Sequence, residues 1–299
     1  MAYYEVKIIQ MTFNLTIRIT FILGLLSIGS YAGVIAPKAS AQGADLDKQN
    51  SEILLYLPIH QNQFPGLIEQ LNIAIENSQA DYIKVITTDY WHPYQNGIRQ
   101  GRSGIYFAAP HFSAWLVNKH QFIPSLALSG KLQYVIAARR SDSDIFEVRD
   151  LANKTVCTNA TMDLSFILVR ESMSRSILAA QTKIVQDVAN EMRVDNKACD
   201  AFSLSEHLFL EFASKDPYQF IRLQQSNEFS NYAYVISPDT SPKAVTTVKH
   251  FLSSKEVKKI LHPMYRLYSQ EPAIVNSSAD RYPIEQMAPL TTYWSADAP

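Results

Sequence analysis

From residue 52 onward the chain alternates between two hydrophobic periods, and this alternation narrows the fold more than any single motif. Glu52-Ile-Leu-Leu-Tyr-Leu-Pro58 is a short apolar run with strand character. Residues 64–76 then place apolar side chains at 64, 67, 68, 71 and 75, the spacing of one helix face. Tyr82-Ile-Lys-Val-Ile-Thr87 returns to strand. A strand-helix-strand unit this short implies parallel pairing through a right-handed crossover, so the chain is read as α/β.

The alternation continues. A short helix is expected over 93–100, a strand over 104–108 ending at Ala109-Pro110-His111, and a helix over 113–120. Two segments then echo one another: LQYVIAA at 132–138 and YAYVIS at 232–237. Between them the pattern closes as a second unit. Strands are expected at 155–157, 198–202 and 220–223, helices at 164–178 and 205–213, and a strand or helix start at 183–188. Two α/β lobes, one inserted in the other, would then be joined by a two-strand hinge in which the two Tyr-Val-Ile segments run side by side. Lobe 1 is expected over 50–136 plus 236–299, and lobe 2 over 137–235. Ser203-Leu-Ser-Glu206 reads as a capping box at a helix start. Pro242 is placed at the first turn of a helix over 242–253, followed by a helix over 255–261. The polar tail beyond Pro272, with scattered prolines, is expected to wrap the surface or fray.

Composition enters at the N-terminus. Arg18 precedes an apolar run over 19–36, and Ala39-Ser40-Ala41 follows. This is the order of a cleavable secretory signal peptide, expected over 1–41, with Met11 an alternative start. A membrane anchor is the other reading, since the run has about the minimum length for a span. Residues 1–41 hold three of the 27 basic and one of the 28 acidic residues, so the remainder carries net charge −3. That balance gives nucleic acid no electrostatic footing. With 47% hydrophobic and 18% charged residues the chain should fold. Glycine numbers only nine, and neither GxGxxG nor GxxxxGK[ST] occurs. No GxSxG and no HExxH is present either, so the sequence points to a binding protein rather than an enzyme, with no cofactor or metal indicated.

Ligands of open α/β sheets sit beyond the carboxyl ends of the strands. Three such ends carry suitable groups. His111 could donate to a ligand, or only pack in its turn. Thr158, Asn159 and Thr161 open a helix whose N-terminal N–H groups favour an anion; a plain N-cap is the alternative. Asp200 could accept from a ligand or form a structural pair. Tyr90, after the strand ending near Thr87, is a further candidate for the cleft. Cys157 and Cys199 lie in strands expected to be first and third of one lobe, hence neighbours. After export one disulfide would form between them, two buried thiols being the alternative.

The ordered series Ala109-Pro-His-Phe-Ser-Ala-Trp-Leu-Val-Asn-Lys-His120, Leu126-Ala-Leu-Ser-Gly130, Tyr134-Val-Ile136, Asp150-Leu-Ala-Asn-Lys-Thr-Val-Cys157 and Ala198-Cys-Asp-Ala-Phe202 resembles the phosphate/phosphite/phosphonate-type substrate-binding proteins of ABC transporters, over most of 52–270. The resemblance implies a bilobal type 2 periplasmic-binding fold and a periplasmic, monomeric protein. It also implies a small polar ligand of phosphonate- or phosphate-like oxyanion type, and a membrane permease as partner. A sensor reporting to a membrane signalling protein, or a secreted enzyme on the same fold, are the rival expectations. The family's anion turn is of Ser-Thr-Ser type. Here the turn is Thr158-Asn-Ala-Thr161, with Asp163 two residues on, and a carboxylate there would compete with a phosphonate.

Overall fold

In the computed structural model the described residues are 52–59, 63–78, 80, 82–87, 91–141, 144–159, 163–173, 180–185, 187–194, 198–291 and 294. The expected signal segment 1–41 lies outside them. No helix among the described residues is long and apolar enough to cross a membrane.

The first half of the chain lays down β1 (Ile53–Leu57), α1 (Leu67–Glu76), β2 (Ile83–Thr87), α2 (Trp91–Gln100), β3 (Ile105–Ala108), α3 (Pro110–His120) and β4 (Ile123–Leu128). Helix α1 buries Leu67, Leu71, Ala74 and Ile75, the stripe its periodicity demands. The first two turns of α3 are buried on all sides, from Pro110 to Leu116. They lie between the sheet and the C-terminal segment, where Trp294 stacks on Phe112 at 5.3 Å. Strand β4 was not legible because Pro124 interrupts it. The sheet accepts this proline where the register shifts, between Tyr234 and Val235 of the neighbouring strand.

After β5 (Lys131–Leu132) the chain enters a second sheet with β6 (Tyr134–Arg139), β7 (Thr155–Thr158), α4 (Leu164–Met173), β8 (Gln181–Ile184), α5 (Val188–Arg193), β9 (Ala201–Ser205), α6 (Glu206–Lys215) and β10 (Phe220–Gln225). It returns through β11 (Phe229–Ser230) to β12 (Ala233–Ile236), α7 (Pro242–Ser253), α8 (Lys255–Tyr265) and β13 (Ile274–Asn276). The segment 183–188 is therefore the end of a strand followed by a helix start, capped by the Asp187 side chain on the Asn190 N–H. Helix α7 opens on Pro242 with Ser241 as its cap.

The strand orders are β13-β4-β12-β3-β1-β2 and β10-β6-β9-β7-β8. In both, the parallel core is flanked by an antiparallel strand that arrives from the other lobe: β12 beside β3, β6 beside β9. This corrects one expectation. The two Tyr-Val-Ile segments do not run side by side; they belong to different sheets. The paired crossings are β5 and β11, with Leu132 opposite Phe229 and Lys131 opposite Ser230. Each Tyr-Val-Ile segment is apolar because it is a central strand with both faces covered.

Two further expectations change. Ser203 is not a helix cap: β9 runs through Ser205, and the Ser203 hydroxyl donates to the Ser165 carbonyl at 2.8 Å. Nor does the tail only wrap the surface. Strand β13 pairs with β4, and Tyr282, Met287, Leu290 and Trp294 are buried.

The second sheet separates two apolar layers by strand alternation. Tyr134, Ile136, Ala138 and Val156 face the α4 side and join the main core. Val135, Ala137, Cys157, Phe202 and Leu204 pack with Val188, Met192, Phe209 and Phe212 from α5 and α6. The Cys157–Cys199 disulfide lies in this second layer, with Cα atoms 5.7 Å apart, and ties β7 to the entry of β9.

Candidate functional site

Strands β1, β7, β8 and β9 run parallel within their sheets and end at a common cavity of about 160 Å³. Pro58 and Ile59 extend it from β1, Asn159 from β7, Ile184 and Val185 from β8, and Ser205 from β9. Tyr134, at the start of antiparallel β6, reaches the same end. Leu267 and Tyr268, just after α8, close it from the first lobe. The cavity thus lies between the lobes, at the carboxyl ends of their strands.

Lobe-to-lobe contacts surround it. The Ser205 hydroxyl donates to the Leu267 carbonyl at 3.3 Å, and His207 Nε2 donates to the Arg266 carbonyl at 2.8 Å. Below the cavity an aromatic cluster carries the first-lobe wall. Phe107 has Tyr232, Tyr234 and Tyr265 at ring distances of 5.3, 4.8 and 5.5 Å, and Tyr232 stacks on Tyr268 at 3.8 Å.

The charged group of the inner wall is Asp163. It is 6% exposed and stands immediately before α4. Its Oδ1 accepts from the Ser165 N–H at 2.8 Å, and Tyr232 Oη lies 3.5 Å from its Oδ2. Burial pushes the Asp163 carboxyl above the ordinary range, opposed by the bonds from Ser165 and Tyr232. The same burial, with the nearby Asp163 charge, pushes up the phenols of Tyr134, Tyr232 and Tyr268.

The residues singled out in the sequence are only partly brought together. Asn159 lines the cavity, and its Oδ1 accepts from the Val188 N–H at 3.2 Å. Thr158 precedes it, wholly buried, with no partner for its hydroxyl among the described residues. His111 is wholly buried in the first turn of α3, its ring 4.1 Å from that of Phe112, and it does not line the cavity. Asp200 is placed at the opposite end of the sheet. It precedes β9 rather than ending it, and its carboxylate accepts from the Thr155 N–H at 2.6 Å. Thr155 and Asn159 are four residues apart along β7, about 13 Å at strand rise. Asp200 is therefore a backbone clasp between β7 and β9. Thr161 and Tyr90 lie outside the described residues.

Sequence reasoning missed Tyr134, Tyr268, Gln63, Ser205 and Asp187 as lining residues, and met Asp163 only as a departure from a pattern. The available signal was positional: Asp163 and Asp187 each stand at a helix start that follows a strand end.

This topology is shared with solved structures. A Xanthomonas citri protein bound to ATP is 13% identical, with a TM-score of 0.58 over 83% of this chain and 100% of that one. A binding-protein component of a Pseudomonas aeruginosa ABC phosphonate transporter is 14% identical, with a TM-score of 0.58 over 80% and 83%. PhnD1 of Prochlorococcus marinus, in complex with methylphosphonate, is 12% identical, with a TM-score of 0.57 over 80% and 97%. The fold is the bilobal type 2 periplasmic-binding fold. No protein-family model and no curated protein sequence matches the chain. At such identities the likeness carries the fold and leaves the ligand to be argued from the cavity.

Proposed function

We propose that this chain is a non-catalytic periplasmic solute-binding protein that captures a small polar ligand between its lobes and hands it to an ABC-transporter permease. The observation that carries this reading is the cavity itself. It lies at the strand carboxyl ends of two sheets that exchange chain only through the β5–β11 ribbon, an arrangement suited to hinge closure on a solute. At about 160 Å³ it is below the usual range for drug-sized ligands, which fits a compact metabolite. Two solved structures of the same fold are named for phosphonate transport or methylphosphonate binding. In this reading residues 1–41 direct export and are removed, the lobe boundaries fall at the ribbon, and the mature protein is a monomer.

Native mass spectrometry of the protein purified from the periplasm of an expressing cell tests the reading. A single small molecule bound one-to-one, with a fall in radius of gyration on binding by X-ray scattering, is the expected result. A protein with no retained or added ligand, or one that turns its ligand over, would overturn it.

A further inference from the structure

We propose that the solute is a small organic cation, an ammonium compound with a short carbon body, held with Asp163 as its counter-ion; the proposal rests on the solute-binding reading of the same cavity. The argument begins with what an anion would need. In this fold an oxyanion would be received by backbone N–H groups at helix starts facing the cleft. Three helices begin at the cavity, α4, α5 and α6. The start of α4 is filled by the chain's own Asp163 carboxylate, bonded to the Ser165 N–H. The start of α5 is filled twice, by Asp187 on the Asn190 N–H at 3.0 Å and by Asn159 Oδ1 on the Val188 N–H. At α4 and α5 the donors an anion would use are already taken, two of them by carboxylates; at α6 the Glu206 N–H donates to the Gln133 carbonyl, and Glu206 itself puts a carboxylate in the first turn.

Lining charge points the same way. Among the described residues the cavity wall contains Asp163 and Asp187 and no Lys, Arg or His. Residues next to the wall in sequence, 60–62, 160–162 and 186, read His-Gln-Asn, Ala-Thr-Met and Gln, with no Lys or Arg. A phosphonate would meet two carboxylates and no compensating side-chain cation among the described wall residues. A cation would meet one buried carboxylate, a second at the rim, and the aromatic edge or face of Tyr134 and Tyr268. Ile59, Val185, Val188, Leu204 and Leu208 supply apolar wall for its carbon body. Burial of Asp163 supports this arrangement, since its ionised form is costly until a cation arrives.

Titration calorimetry with the exported, ligand-stripped protein tests the proposal. The probes are methylammonium, ethanolamine, choline and tetramethylammonium on one side, methylphosphonate and inorganic phosphate on the other. At least one ammonium probe should bind one-to-one, and neither anion should. Asp163→Asn, which keeps an acceptor for the Ser165 N–H, should weaken that probe about 100-fold, in line with loss of a desolvated charge partner. Asp187→Asn, an exposed rim position, should weaken it about threefold, and it keeps the test open if the Asp163 variant does not fold. Binding of an anion, or of a neutral solute found in the purified protein, would overturn the cation and leave the solute-binding reading standing. Absence of any bound or bindable small molecule would overturn both. Equal ammonium affinity in wild type, Asp163→Asn and Asp187→Asn would also overturn the proposal.

Discussion

Reduction of the Cys157–Cys199 disulfide should loosen one lobe far more than the other. The two cysteines are separated by 42 residues, a stretch that contains α4, β8 and α5. Closing a loop of that size removes about 4 kcal/mol of denatured-state entropy in the chain-entropy model. Both residues are almost wholly buried in the layer formed by α5, α6 and the second sheet, so the loss falls on that lobe. At about 2–4 °C per kcal/mol for a chain of this size, the lobe's transition should drop by roughly 10 °C. Calorimetry of the oxidised and reduced protein reads this directly. The reduced form keeps both sulfur atoms in the core, whereas Cys157→Ala with Cys199→Ala also removes their packing and should fall further. Alkylation must be done in denaturant, because buried thiols would escape it in the native state. A difference below about 1 kcal/mol between oxidised and reduced forms would refute the loop-entropy argument. Two alkylated cysteines in unreduced, periplasm-purified protein would refute the disulfide itself.

Other perturbations separate structural groups from ligand groups. Asp200→Ala should cost about 1–2 kcal/mol by stranding the Thr155 N–H, seen as a lower urea midpoint, with ligand affinity unchanged. Arg139→Met should cost about 3 kcal/mol, since the guanidinium donates to the Cys199, Glu191 and Val194 carbonyls and lies 4.6 Å above the Phe202 ring; an unchanged midpoint would show that water replaces it. Acid should destabilise the fold at His207, because the buried imidazole is costly to charge. Burial holds its imidazole below 6.5, with Arg266 also lowering it and Glu211 and the Arg266 carbonyl opposing, so its contribution is complete above 6.5 and lost as pH falls from there towards the folded value. His207→Gln should flatten thermal stability between pH 7.5 and 5.5; Asp163, whose pKa is raised, works in the opposite sense, gaining stability as it protonates.

Much of the fold was legible because both hydrophobic periods are clean where an element has one exposed and one buried face. Helix α7 is read to its bounds from Ser241-Pro242 and its apolar spacing. Legibility failed where a residue type is spent against its habit. Pro124 hides a central-region strand, and Arg139, beside Arg140 and close to Asp142 and Asp144, reads as solvated linker although it is 7% exposed. The tail shows no clean hydrophobic period, but its apolar residues include Tyr282 and Trp294, large enough that a handful makes a core contact. The site was harder still. Asp200 reads as a cleft residue only if its strand ends there; the strand in fact begins just after it, so an error of a few residues in the strand bounds carries Asp200 to the far end of the sheet. Local pattern locates strand ends only to within a few residues, and a cleft position tolerates no such slip.

The Tyr-Val-Ile echo illustrates the difference between topological and residue-level repetition. Both copies occupy the same place in their sheets, the antiparallel strand beside the third parallel one. They are not in the same register. Tyr134 lies opposite Ser205, the residue before α6, whereas Tyr234 lies opposite Phe107, two residues before the Ala109 that precedes α3. Counted from the helix start, the first-lobe match to Tyr134 is Tyr232. That offset of two keeps the side chain on the same face while moving it one strand repeat towards the cleft. Tyr232 is the residue whose hydroxyl reaches Asp163, and Tyr134 is the residue that lines the cavity beside it. The buried carboxylate is therefore flanked by one tyrosine from each crossing strand. A change that separated the lobes would part Tyr232 from Asp163, so on the proposed hinge closure the group proposed to hold the ligand would also change its surroundings.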